Sequence, residues 1–288
     1  MKLHQVFAFI LIPLFTYAQK DLLIENNFPF KVLSDIHNFD FVKARKNIDL
    51  SEDTISREEY LFLKVNYYWW AYVISNDNPS YRDSLRYYLN KSNDFYKTAN
   101  NNYGFIALMI NGFDYRLAFK EGRFIDGMLS ARKMARKIQK SLDSAEYSPY
   151  YKLTAAIYLF STGYGKEKYW YLYPYFISIP EGDMQKGINY LQELSENTNT
   201  VLATEATYTL MRIYKDLYSD YFKAYRLSKK LILWHPDNLF YLALHLQTKE
   251  KLNLLTEKDE IRYNKIYRQT VFLNNEAKQY FKNWRNIK

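Results

Sequence analysis

The 288-residue sequence contains no cysteine. Disulfide frameworks, thiolate nucleophiles and cysteine-ligated metals are therefore excluded, as is a lipid anchor on a cysteine at the end of a leader. Glycine and proline are scarce, at 8 and 7 residues, and so few breakers favour long helices over a many-turned sheet protein. The histidines are His4, His37, His235 and His245, and no two of them stand at the spacing with which a helix presents a ligand pair, so no metal site is expected. A glycine-rich phosphate loop and a G-x-S-x-G elbow are both missing. With that chemistry excluded, no cofactor is expected and the chain does not read as an enzyme.

Long apolar runs are also lacking. The longest, Val6 to Phe15, follows the positive Lys2 and ends in Thr16, Tyr17 and Ala18, the pattern of a secretory signal peptide cut before Gln19. It is too short to span a bilayer comfortably. Residues 1–18 are thus expected to be removed, leaving a periplasmic or extracellular protein, envelope-associated but neither a lipoprotein nor membrane-spanning. The roughly 270 residues that remain suit a single helical domain over 19–288. The formal charge of +9 falls to +8 without Lys2. In an exported protein this balance points to acidic surface partners, and export argues against nucleic acid.

What the sequence has in quantity is aromatic side chains, 30 of them tyrosine, and helical periodicity. From Ala203 to Asn238 the chain reads as a helix, a tight turn, a second helix and a terminating proline. Ala206, Leu210, Ile213, Tyr214 and Leu217 recur on one face, and Tyr221, Ala224, Leu227, Leu231 and Trp234 form a second stripe. Ser219 or Asp220 can cap that second helix, and Pro236 ends it. Two stripes this short need stacked neighbours to be buried.

The segment resembles one tetratricopeptide unit, a pattern with a period of about 34 residues, a small residue at the helix crossing and a closing proline. Tyr208, Leu210 and Tyr214 match first-helix positions, Tyr221 and Ala224 the second-helix start and crossing, and Pro236 the closing turn. The match needs one extra residue near Tyr218 and Ser219. Gly122, Phe124 and Gly127 repeat the offsets of Ser219, Tyr221 and Ala224 as a weaker second unit. More widely, PEGDMQKGINYL and the later HPDN are similar to exported bacterial tetratricopeptide-like proteins, and distantly to eukaryotic repeat proteins of the inclusion-body-clearance type. The resemblance implies an all-α fold, a right-handed stack of antiparallel helix pairs forming an α-solenoid, and a scaffold that binds a protein or peptide in its groove.

Other helix starts follow from capping chemistry. Ser56 and Glu59 form a capping box, Asn78 and Pro79 open the next helix, and Ser148 with Pro149 opens one expected to stop at Gly163. One helix is expected through Ile36, Phe39, Ala44 and Ile48, and helices over Asn101–Lys120 and Arg123–Ser141. Asp183 restarts helix at Met184, Asp237 opens another, and Thr256 with Asp259 opens one long closing helix to Trp284. Between Tyr164 and Gly182 lies an irregular aromatic arm.

That arm is the first candidate for binding, with Tyr164, Tyr169, Trp170, Tyr171, Tyr173, Tyr175 and Phe176 placing seven rings within thirteen residues. Exposed, they stack on a glycan or grip a peptide; folded back, they are core between repeats. A basic stripe, Arg132, Lys133, Arg136, Lys137 and Lys140, is the second; its plain role is the solvated face of a packed helix. Glu181 and Asp183 are the one carboxylate pair suited to sugar cleavage. Capping by Asp183 after a turn at Gly182 explains that pair with no unseen partner. The alternatives to a peptide-binding scaffold are accordingly a glycan-binding or carbohydrate-active protein using the arm, and a structural part of an envelope assembly.

Overall fold

The computed structural model describes residues 28–98, 105–123, 126, 138–168, 180–197 and 200–284. Among them the fold is all-α, with no strand. The helices are α1 (Phe28–His37), α2 (Phe41–Leu50), α3 (Arg57–Ile74), α4 (Pro79–Thr98), α5 (Phe105–Lys120), α6 (Gln139–Ser144) and α7 (Pro149–Lys168). They continue as α8 (Met184–Ser195), α9 (Thr200–Arg212), α10 (Tyr221–Trp234), α11 (Leu239–Lys251), α12 (Glu257–Gln269) and α13 (Asn275–Trp284).

Capping chemistry sets most boundaries. Ser56 accepts from the Glu59 amide and the Glu59 carboxylate accepts from the Ser56 amide, so the box before α3 is complete. Thr256 and Asp259 do the same for α12. Asp220 and Asp183 cap α10 and α8 through the amides of Lys223 and Lys186. At α11 the cap is Asn238, one residue beyond the expected Asp237. The single helix expected through Ile36 and Ile48 is two helices, because Phe39 takes a left-handed φ of 68° and Asp40 caps α2. The long closing helix is likewise two: Thr270 is extended, and Asn274 accepts from the Ala277 amide at the start of α13. Tyr263 then donates to the Phe281 carbonyl at 2.8 Å, tying α12 to α13.

The chain divides into two compact units. The central unit is Asn93–Leu217, and the terminal unit joins Glu25–Ser92 to Tyr218–Lys288. In the central unit α8 packs on both α7 and α9, with α5 and α6 also against α7. The crossing of α7 and α8 is set by glycine: a Cβ on Gly187 would stand 2.6 Å from the Ala156 carbonyl oxygen and 2.7 Å from the Phe160 amide nitrogen. That close approach is why α7 and α8 bury so much of each other.

In the terminal unit α1 packs on α2 and α3, α10 on α11, and α11 on α12. Its two chain segments are joined by buried polar bonds and rings. His37 Nδ1 and the Tyr241 hydroxyl lie 3.0 Å apart, and the Asn238 amide donates to the His37 carbonyl. Phe39 sits edge-on to Phe41 and Phe281, while Trp70 does the same to Phe240.

The division falls inside the turn of the expected Ala203–Asn238 pair. Its two helices belong to different units, with α9 packed on α8 and α10 on α11. The extra residue that the repeat pattern requires lies at this same place. It is accommodated as a π-helical turn, Ile213–Leu217, which continues α9, and Ser219 then turns the chain at φ 54°.

Candidate functional site

The proposed acid–base pair is occupied with structure. Tyr158 donates to the Pro180 carbonyl at 2.7 Å, holding the segment before α8 against α7. A Cβ on Gly182 would come within 2.2 Å of the Gly163 amide nitrogen, so only glycine fits that contact. Asp183 caps α8. Glu181 points outward, its side chain 89% exposed and 3.9 Å from Lys166. The positions of the two carboxylates thus follow from the joint between α7 and α8, where Asp183 caps a helix and Glu181 faces solvent.

The first residues of the expected aromatic arm are helical. Helix α7 runs through Gly163 and Gly165 to Lys168, so Tyr164 is not an arm residue. It is buried and stacks on Phe160 with ring centroids 5.8 Å apart, one helical turn away. Tyr169, Trp170, Tyr171, Tyr173, Tyr175 and Phe176 lie outside the described residues, as do Arg132, Arg136, Phe124, Gly127 and residues 1–18, where a leader is expected. Lys140 is the first turn of α6, the described remnant of the expected basic helix. Of the repeat positions, Tyr208, Leu210, Tyr214 and Ala224 are buried, Tyr221 is half-buried, Pro236 follows α10, and Gly122 takes a φ of 74° after α5.

A groove of the tetratricopeptide kind needs first helices with one open face. Here α7 is buried from Tyr150 to Phe160 without interruption, and α9 from Val201 to Tyr214. Every face of both helices is covered over those stretches. The inward chemistry of α9 is polar and ionisable: Glu205, Tyr208 and Arg212 are buried at successive turns. Arg212 donates to the Tyr208 hydroxyl at 3.0 Å and to Asp216 within the π turn. Burial pushes the Glu205 carboxyl well above its ordinary range, with the nearby Arg116 guanidinium pulling the other way. Burial also lowers Arg116, to about 9, which leaves it a cation at neutral pH.

The terminal unit brings together what the sequence keeps apart. His37 and His235, 198 positions apart in sequence, have ring centroids 6.0 Å apart. His235 Nδ1 lies 2.8 Å from the Asn38 side-chain oxygen. Burial lowers both imidazoles to about 3, and the neighbouring His37 adds to the effect on His235. His245 bonds Ser228 at 2.9 Å and stacks on Tyr225; burial, then Lys249, lowers it to about 4. These are neutral rings committed to packing. Among the described residues no three His, Asp or Glu side chains gather in a way that would hold a metal ion. Sequence spacing had no signal for the His37–His235 approach, since it is made by tertiary packing.

Outward, the terminal unit shows large apolar side chains. Leu254 and Leu255 are exposed in the loop between α11 and α12, and Ile261 is exposed one turn into α12. On α10, Phe222, Leu233 and Trp234 are exposed. No protein-family model, no characterised protein and no solved structure matches this chain.

Proposed function

We propose that this is an exported, non-enzymatic interaction protein, a divergent stack of tetratricopeptide-like helix pairs that binds a partner protein. The glycine crossing of α7 and α8 supports the helix-pair architecture, because a small residue at the crossing is part of the repeat pattern. The observation that carries the binding reading is the exposed corner of Leu254, Leu255 and Ile261, three large aliphatic side chains within eight residues of chain. The reading rests on this exposed corner, because α7 and α9 have no open face along their buried stretches to line a groove. The spent roles of Glu181 and Asp183 remove the support for sugar cleavage.

The test is photo-crosslinking in the producing cell, with a photoreactive residue at position 261 and, as control, at the exposed Glu181. A partner adduct at 261 that disappears in a Leu254→Ser, Leu255→Ser double variant supports the reading. Folded protein with no adduct at 261 overturns it.

A further inference from the structure

Helix α10 carries a second surface of different character. Its buried side is Ala224, Ser228, Leu231 and Ile232. At 100° per residue the opposite side is the row Phe222, Arg226, Lys229 and Leu233, flanked by Lys223, Lys230 and Trp234. Phe222 is 63% exposed and Leu233 69%. Lys230 lies over the Trp234 ring at 4.8 Å, so its stem covers the indole. The helix contains no acidic residue. Lys223 is paired with the capping Asp220 at 3.2 Å, while Arg226 and Lys229 form no salt bridge among the described residues.

We propose that this face of α10 docks on an anionic lipid bilayer. Phe222 and Leu233 enter the boundary between headgroups and acyl chains, and Arg226 and Lys229 between them meet lipid phosphates. The spacing favours a bilayer over a protein partner. Phe222 and Leu233 are eleven residues apart, about 16 Å along the helix, with cations between them. A protein interface concentrates its apolar anchors in one core and is poor in lysine. A headgroup layer accepts isolated apolar wedges one at a time and attracts each intervening cation. No described helix is long and apolar enough to cross a membrane, so the contact is made in the plane of the surface. This docking is independent of the partner-protein corner, and crosslinking at position 261 and vesicle binding report on them separately.

The experiment is co-sedimentation of the purified full chain with vesicles of phosphatidylcholine alone, and of phosphatidylcholine mixed with phosphatidylglycerol. Binding is expected only to the anionic vesicles and to fall with added salt. The Arg226→Glu, Lys229→Glu double variant should weaken it by at least about tenfold. The Phe222→Ser, Leu233→Ser double variant should also weaken it by about tenfold, with the charge unchanged. Both pairs face away from the buried stripe, so unchanged helicity and melting certify folding. The leader is common to every variant, so differences between variants read α10 alone. Equal binding to both vesicle types, or unaltered binding by either double variant, overturns the proposal. Loss on charge reversal with no loss on apolar truncation also overturns it, since that outcome marks a surface for an acidic protein.

Discussion

The terminal unit keeps three histidines inside it, and the central unit keeps a carboxyl group and two guanidinium groups. Their responses to pH have opposite sign. His37, His235 and His245 are neutral when folded and titrate near 6.5 when unfolded, so their contribution is complete above that value and is lost as pH falls toward 3. Glu205 is raised by burial, so its contribution is complete below the ordinary carboxyl range and is lost as pH rises. The three histidines therefore add acid sensitivity to the terminal unit, while Glu205 adds the opposite dependence to the central unit. Burial of an ionisable group selects the uncharged form, and which pH is tolerated depends on whether that form has gained or lost a proton.

The largest effect that would sharpen this contrast is steric and confined to the central unit. Gly187→Ala should destabilise it by about 3 kcal/mol, because the new methyl meets backbone atoms of α7 that cannot move aside. Urea unfolding followed by hydrogen exchange would show α7 to α9 opening first, with α10 and α11 keeping their protection.

Acidification should do the reverse. Between pH 7 and 4 the terminal unit should lose on the order of a few kcal/mol, with protection falling in α1, α10 and α11 once intrinsic exchange rates are corrected. Glu205→Gln should flatten the central unit's dependence above the carboxyl range without altering the acid response of the terminal unit. Opening of the central unit first in mild acid would break the comparison.

Tyr241→Phe is a smaller probe of the terminal unit. It removes the hydroxyl bonded to His37 Nδ1 and should cost about 1 kcal/mol, read as a shift in the denaturation midpoint. Smallest of all is Glu181→Gln, expected to change stability by less than about 0.5 kcal/mol, since its carboxylate is exposed and its lysine partner distant. Measurable glycan hydrolysis abolished by that substitution would reverse the assignment of Glu181 to the surface.

Much of the local structure was legible in the residues. Ser56 with Glu59, Asp183, Asp220 and Thr256 with Asp259 mark helix starts because capping is decided within four residues of chain. Asn38–Asp40 and Thr270–Asn274 were less legible, since apolar spacing continues across both breaks while the backbone does not. Gly187 lies in the first turn of the helix that Asp183 opens, and its value appears only when α7 is placed against it. The division into units was not legible at all. It depends on bonds such as His37 to Tyr241, 204 residues apart, for which periodicity carries no information. The candidate site was legible in its composition and not in its placement. Tyr164 reads as part of an aromatic run, but its helix continues past two glycines because both are packed rather than exposed.

The terminal unit is assembled from both ends of the described chain, and this bears on how the protein is made. Residues 93–217 are contiguous and can complete their unit while the last seventy residues are still being synthesised. Residues 25–92 precede it and pack among themselves through α1, α2 and α3, but the rest of their unit is made only after residue 217. Until α11 and α13 appear, Trp70 and Phe39 lack the ring contacts they make with Phe240 and Phe281. Joining the two segments of the terminal unit requires closing a loop of more than one hundred residues, and a chain shortened before Tyr241 leaves His37 without its hydroxyl partner.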